Sequence, residues 1–506
     1  MLNNSLKLGP FVLILSFSNF LLFHLPFFKF VFESLNHTSL SGIIIIISLI
    51  ILMLVLNAFV FYLLFILSQA LARVLLFLFF CLNSIALYFI KSYNVIIDET
   101  MIGNLLNTNY EESSAFFSLG LILYLFFLGI LPGVFIINIK LIKGSLKKQL
   151  TSLFLGLVFI LSLVYFNSGN WLWIDKNSTK LGALVMPWSY VVNTSRFYIH
   201  ENKKNKKEIL LPNAKIKNTE KSIFVLVIGE SARSQNFSLY GYEKPTNPRL
   251  SSIKNIYPFK AQSCATYTTA GIKCILEHTH TSKLYEILPN YLYRNNVGVV
   301  WRTTNWGEPP VHSKPFLKRR DLEQSCLGDG CNYDEILLSG LKEQILSSSK
   351  EKQLIILHTS TSHGPTYNKK YPARFERFSP VCNSVELGKC TTEELVNAYD
   401  NTIVYTDYIL SCLINDLNQM EEYHRAVLYV SDHGESLGEN NLYLHGIPAS
   451  IAPKEQLDIP FIVWRSEGSK QIKPYNMLSQ NHVFHSVLDF LDIESPIYDE
   501  NMSIFK

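Results

Sequence analysis

Asp432 and His433 stand side by side directly after the apolar run VLYVS and just before Gly434. A carboxylate next to an imidazole suits zinc, which takes oxygen and nitrogen ligands in about four positions. Other apolar runs also end in polar side chains. FVLVIG leads into Glu230, LIIL into His358 with His363 a few residues on, and NLYLHG supplies His445. A single acid after an apolar run is most often a satisfied polar group, so the Asp–His pair is the more specific signal. The segment CATYTTAGIKC, residues 264–274, sets three threonines between two cysteines. A hydroxyl opposite a metal can serve as a nucleophile, its pKa lowered by the ion. On chemistry alone Thr266, Thr268 and Thr269 are equal candidates, and a stapled turn is the bland alternative.

The elements that must hold these residues follow from residue 222 onward. SIFVLVIGE, NVGVVWRT, QLIILHTS, RAVLYVSDHG and IPFIVWR read as buried strands. Between them, TEELVNAYDNTIVYTDYILSCLINDL carries Leu395, Ala398, Ile403, Ile409, Leu410 and Leu413 as a helical stripe. Strands buried on both faces and separated by helices imply an α/β domain with a mainly parallel central sheet flanked by helices. Ligands in such sheets gather at the carboxyl ends of the strands, which is where the candidate residues fall.

The first third is different material. Residues 9–31, 41–67, 72–92, 115–138 and 150–167 are long apolar runs with almost no internal charge. A bilayer core needs about 20 such residues as a helix, so five transmembrane helices are expected. Lys140, Lys143, Lys147 and Lys148 follow the fourth run, Arg73 lies between the second and third, and Lys7 precedes the first. The alternate connections lack this positive charge, which places the N-terminus in the cytoplasm and everything after about residue 168 on the other side. Three regions result: a transmembrane domain over 1–167, an interfacial segment and linker over 168–221, and a catalytic domain over 222–506. Trp171, Trp173 and Trp188 suit the membrane interface, and the lysine-rich stretch 201–221 reads as the linker. The formal net charge of +4 over 506 residues gives no case for nucleic-acid binding.

Cysteine usage bears on the same placement. Cys81 lies in an apolar run and Cys412 in the long helix. The other six form close couples, 264/274, 326/331 and 382/390. Fifteen pairings are open to six cysteines, and pairing of neighbours is the simplest. No Cys-x2-Cys spacing supports a zinc finger. Disulfides imply an oxidising compartment, in agreement with the charge distribution.

VIGESARSQNFSLYGYEKPTNPRL, SCATYTTAGIKC, SHGPTY and SDHGESLGENNLYLHG, in this order, resemble the motifs of the phosphoethanolamine transferases of Gram-negative inner membranes. That family includes the lipid A enzymes and the mobile colistin-resistance proteins, within the alkaline phosphatase and sulfatase superfamily. The resemblance spans nearly the whole chain, the five membrane helices included. It implies metal ligation by Glu230, Thr268, Asp432 and His433, and it selects Thr268 as the nucleophile from its place four residues after Cys264. It implies roles for His363 and His445 near the phosphate, and disulfides Cys264–Cys274, Cys326–Cys331 and Cys382–Cys390. One firmly bound zinc ion is implied, and the presence of a second is left open. In MIGNLLNTNYEES, Asn104, Thr108 and Glu112 recur every four residues, which would place them on one helical face. The resemblance implies that these three bind the ethanolamine headgroup.

The function so implied is transfer of phosphoethanolamine from phosphatidylethanolamine to lipid A, through a covalent intermediate on the threonine. The consequence would be less negative charge at the cell surface and weaker action of cationic peptides such as polymyxin. An inner-core sugar of lipopolysaccharide as acceptor, or a membrane-anchored phosphodiesterase, are the alternatives. The expected setting is the inner membrane with a periplasmic catalytic domain, membrane lipids and lipopolysaccharide as partners, and a monomer. One stretch departs from the family. After VVWR its lipid A branch has a loop with Ser and Lys, whereas TTNWGEPPVHS brings Trp306, Glu308 and Pro309, leaving His312 or Lys314 to supply the positive charge.

Overall fold

A computed structural model describes residues 5–35, 37–108, 110–166, 173–174, 177–204 and 208–506. Trp171 lies outside the described residues. The chain divides into two compact units: Met1–Leu106 with Phe116–Tyr198, and Asn107–Ala115 with Ile199–Lys506.

The first unit is helical. Helices α1 (Leu8–Phe23) and α2 (Leu25–Ser34) take up the first apolar run, bent by 63° at His24. Pro26 opens α2, where its missing N–H costs nothing but the preceding helix cannot continue straight. Next come α3 (Leu40–Leu67) and α4 (Gln69–Tyr93), capped by the hydroxyls of Ser39 and Ser68 respectively. After the short α5 (Glu99–Asn107) and α6 (Tyr110–Ala115), α7 spans Leu119–Asn138 and α8 spans Leu146–Phe166. Among the described residues, four helices are long and apolar enough to cross a membrane, or five with the bent α1–α2 pair as one span. Phe154, Leu155 and Leu161 on α8 are more than half exposed, apolar surface that suits lipid rather than water. Helices α9 (Ser178–Leu184) and α10 (Trp188–Lys204) follow.

In the second unit the strands are β1 (Ser222–Gly229), β2 (Ile256–Gln262), β3 (Gly298–Thr303), β4 (Phe316–Lys318), β5 (Lys352–His358), β6 (His424–Ser431), β7 (Asp458–Arg465) and β8 (Leu478–Ser479). They form one sheet in the order β8-β2-β7-β6-β1-β5-β3-β4. The run from β6 to β4 is parallel throughout. β7 is antiparallel to both β6 and β2. Every residue of β1 and β5 is buried, as expected for parallel strands covered on both faces. Helices α11 (Thr268–Leu276), α12 (Thr392–Asn418) and α13 (His482–Phe490) flank this sheet. Phe224, Leu226, Leu354, Leu428, Phe461 and Phe484 sit in its main core.

Candidate active site

Register brings the acids together. Gly229 of β1 pairs with Ser431 of β6, so the next residues, Glu230 and Asp432, leave the sheet from neighbouring strands at the same level. His433 follows at once, and its Nδ1 lies 2.8 Å from the Gly434 carbonyl oxygen. That contact assigns the proton to Nδ1 and leaves Nε2 as the basic nitrogen. Nε2 lies 3.4 Å from Glu230 Oε1 and 3.4 Å from Asp432 Oδ2. All three side chains are fully buried.

Thr268 closes the group from the opposite side. It is the first residue of α11, and its Oγ1 lies 3.3 Å from both Glu230 Oε2 and His433 Nε2. The helix makes its first bond from the Gly271 N–H to the Tyr267 carbonyl, so the N–H groups of Thr268, Thr269 and Ala270 have no intrahelical acceptor. The positive end of α11 therefore sits at the hydroxyl. Thr266 is used differently, since its Oγ1 donates to the Ile447 carbonyl at 2.6 Å. The Cys264–Cys274 disulfide ties the loop before Thr268 to the far end of α11. Cys326–Cys331 and Cys382–Cys390 are closed as well, and Cys81 and Cys412 are free.

The approach of α11 depends on Gly271. A Cβ there would lie 2.2 Å from the Asp432 carbonyl oxygen, part of a rigid backbone. Gly271→Ala is expected to push α11 back by about 1 Å and cost on the order of 10²-fold in activity. A melting temperature close to wild type would separate this from unfolding.

Burial of so many ionisable groups shifts their titration. Burial, then the neighbouring charge of Asp432, raises Glu230 to about 7. Burial raises Asp432 to about 7, against the N–H groups of Ser231 and His433 that bond it. Burial, then the nearby His445, lowers His433 to about 4. Asp432 Oδ2 is buried and, among the described residues, has no hydrogen-bond partner. Carboxylates and an imidazole held this close, with one carboxylate oxygen left unbonded, fit a metal ion. The ligand atoms of Glu230, Asp432 and His433 lie within 4.8 Å of one another. Those of His433, Glu435 and His445 do so too.

His445 joins from the NLYLHG segment. Its Nδ1 lies 2.7 Å from Glu435 Oε2, and its ring centroid lies 4.3 Å from that of His433. His363 stands beside it at 5.5 Å between centroids, its pKa held well below the ordinary value by burial. Glu435 accepts from the Tyr367 hydroxyl at 2.5 Å, and burial raises it to about 8. His358 does not join the group: it is buried against Trp301, with Nδ1 3.3 Å from the Thr303 hydroxyl.

Asn305 is a site residue that the sequence reading passed over. Its Nδ2 donates to Glu230 Oε2 at 2.7 Å and to the Thr359 carbonyl at 2.9 Å. Its place just past the end of β3 is the signal that the sequence carries for it. Removing a group that orients a ligand typically weakens metal affinity about ten- to a hundredfold, the loss expected for Asn305→Ala and read by titration against a chelator. The same loop lies against Thr268: Gly307 has φ +95°, and a Cβ there would be 3.2 Å from the threonine methyl. Neither basic residue expected of the loop is shown at the site. His312 is exposed with Nε2 3.5 Å from Glu208 Oε2, and Lys314 is exposed.

The expected single helical face for Asn104, Thr108 and Glu112 does not form. Asn104 lies on α5, which ends at Asn107, and Glu112 lies on α6, which begins at Tyr110. Thr108 falls between them. The sequence Asn107-Thr108-Asn109 offers side chains that compete for backbone hydrogen bonds, which favours a break. The Glu112 side chain lies outside the described residues.

Comparison with known proteins points the same way as the motifs. The family model described as Sulfatase matches residues 222–493, and the one described as Phosphoethanolamine transferase EptA/EptB matches residues 52–202. The chain is 41% identical to the phosphoethanolamine transferase EptA of Helicobacter pylori over 505 residues, covering 96% of this chain and 94% of that one. It is 31% identical to the Escherichia coli K12 protein of the same name, covering 98% and 96%. Among solved structures, the integral membrane lipooligosaccharide phosphoethanolamine transferase A of Neisseria meningitidis superposes with a TM-score of 0.88 at 27% identity, covering 99% of each chain.

Proposed function

Because the chain belongs to the phosphoethanolamine transferase family, we propose that it takes phosphoethanolamine from phosphatidylethanolamine onto Thr268 and passes it to lipid A. The observation that carries this reading is the Thr268 hydroxyl at the N-terminus of α11, 3.3 Å from both Glu230 and His433. The metal would be zinc, which Glu230, Thr268, Asp432 and His433 would hold. When bound, it lowers the pKa of the threonine hydroxyl and neutralises phosphoryl charge.

The chain's own groups account for the rest. Thr268 Oγ1 attacks the phosphorus of the donor as the bond to the diacylglycerol oxygen breaks, and the threonine proton leaves toward an imidazole outside the metal's ligand set, His445 or His363. The diacylglycerol oxygen takes up a proton and departs. A phosphate or sugar oxygen of the acceptor then attacks the phosphoethanolamine on Thr268, and the hydroxyl is restored. The free N–H groups of the first turn of α11 stabilise the phosphoryl oxygens. His445, anchored through Nδ1 on Glu435, and His363, kept neutral by burial, hold those oxygens or move the protons at their remaining ring nitrogens. Asn104, Thr108 and Glu112 bind the ethanolamine group.

We place the membrane helices in the inner membrane with the N-terminus in the cytoplasm, so that the three disulfides and the site face the periplasm. Residues 1–167 then form the membrane domain, 168–221 the interfacial segment and linker, and 222–506 the catalytic domain. Mass spectrometry of lipid A from cells expressing the protein tests the reading. Added phosphoethanolamine on the lipid A fragment is expected, and its appearance only on inner-core sugar would reassign the acceptor.

A further inference from the structure

A cavity of about 510 Å³ opens in the second unit between the segment 248–252, the segment 374–377 and the middle of α12. Its rim carries Arg249, Arg374 and Arg377, its floor Phe375 and Val404, and its one acid is Asp407. That acid is committed elsewhere, because its two carboxylate oxygens accept the backbone N–H groups of Arg249 and Leu250 at 3.0 Å each. Arg374 is committed too, to Asp329 and to Glu335 at 2.8 Å. Arg249 and Arg377 are exposed and, among the described residues, neither forms an ion pair within 4 Å, although both attract the Asp407 carboxylate. The Arg249 side chain and the Arg377 backbone are held in place. The Arg249 guanidinium lies 5.1 Å above the Tyr408 ring, and the Arg377 backbone N–H donates to Asn401 Oδ1 at 2.9 Å.

We infer that this cavity binds a phosphate-bearing sugar of the acceptor, with Arg249 and Arg377 on the phosphate and the apolar floor against the sugar ring. The guanidinium fork matches a phosphate in a way that a neutral sugar or an ammonium group does not. The volume is that of a small-molecule site and holds more than a single phosphate. Position favours the acceptor over the donor. The Tyr399 hydroxyl on α12 donates to the Ser231 carbonyl at 2.7 Å, next to Glu230. Asp407 lies eight residues further along the same helix, about 12 Å at 1.5 Å per residue. A donor with one phosphate, and that phosphate on Thr268, has none left for a second site, whereas a saccharide with a second phosphate does. The inference rests on the reading of the acceptor as a phosphorylated glycolipid.

Titration of the full-length protein in detergent with an acyl-free glucosamine disaccharide bisphosphate, and with the same disaccharide without phosphates, tests it. Arg249→Gln with Arg377→Gln is expected to weaken binding of the bisphosphate about tenfold, and Arg249→Lys with Arg377→Lys by less. In a transfer assay the Gln pair is expected to raise KM for the glycolipid with kcat at saturation retained. Equal affinity of wild type and the Gln pair at matched melting temperatures, or equal binding of the phosphate-free disaccharide by wild type, would overturn the site. The two readings fail separately. Transfer that persists with binding indifferent to the arginines removes only the cavity. Binding that persists in a wild-type protein unable to modify lipid A removes the acceptor reading on which the cavity's role rests.

Discussion

Thr268→Ala is expected to leave lipid A unmodified in cells expressing the variant, with transfer reduced by about 10⁴-fold or more. The size of the effect follows from the chemistry: without Oγ1 no covalent intermediate forms on residue 268, and the nearby Ser231 hydroxyl is bonded to Glu230 Oε1 at 2.7 Å. Thr266 has its hydroxyl on the Ile447 carbonyl. Folding should survive, because the change removes one methyl, one hydroxyl and two long hydrogen bonds of 3.3 Å while the Cys264–Cys274 staple stays. Thr268→Ser tests placement rather than chemistry. It keeps the oxygen but loses the methyl that packs near Gly307, so reduced but measurable transfer is expected. Wild-type protein given phosphatidylethanolamine without acceptor should carry phosphoethanolamine on the peptide containing residue 268, and the alanine variant should not. Full modification of lipid A by the alanine variant would remove Thr268 from the reaction.

How much of this was legible beforehand differs from one element to the next. The five strands rich in Val, Ile and Leu could be read because burial on both faces leaves no polar position to disguise them. The direction of β7 could not, since an apolar run looks the same whichever way it pairs. β2 was missed: IYPFKAQ is half exposed and has Pro258 at its centre, a residue that argues against a strand. The short β8 pairs only with Ala261 and Gln262, so on that side Pro258 needs no ladder partner and is tolerated. In the site, the adjacency of Asp432 and His433 was visible as sequence. The meeting of Glu230 with Asp432 needed the β1–β6 register, and the contact of Asn305 with Glu230 needed the third dimension. The bend at His24 and the break after Asn107 are local events that apolar content and four-residue spacing average over.

Stripping the metal is expected to make stability fall as pH rises from about 6.5 to 8.5, by on the order of 3 kcal/mol, while metal-loaded protein falls by less. The sign comes from the buried acids. Glu230 and Asp432 titrate near 7 and Glu435 near 8 in the fold, above the ordinary 4.5, 3.8 and 4.5. A raised carboxyl binds its proton more tightly in the folded chain, so its contribution is fully present below the ordinary carboxylate range and is lost as pH rises through the folded pKa. The histidines act in the opposite sense at lower pH. His433 is lowered to about 4, and His363 and His445 are lowered too, so they favour the fold increasingly up to their ordinary 6.5. Below 6.5 the two sets of slopes oppose one another, and above it only the carboxylates remain, which is why the window sits there. A divalent cation among Glu230, Asp432 and His433 removes the penalty by favouring the charged acids. Melting curves of chelator-treated and zinc-reloaded protein at pH 6.5, 7.5 and 8.5 should diverge by several degrees at the upper end. Parallel curves would mean that these acids do not share a metal, and that the charge at Thr268 is balanced in some other way.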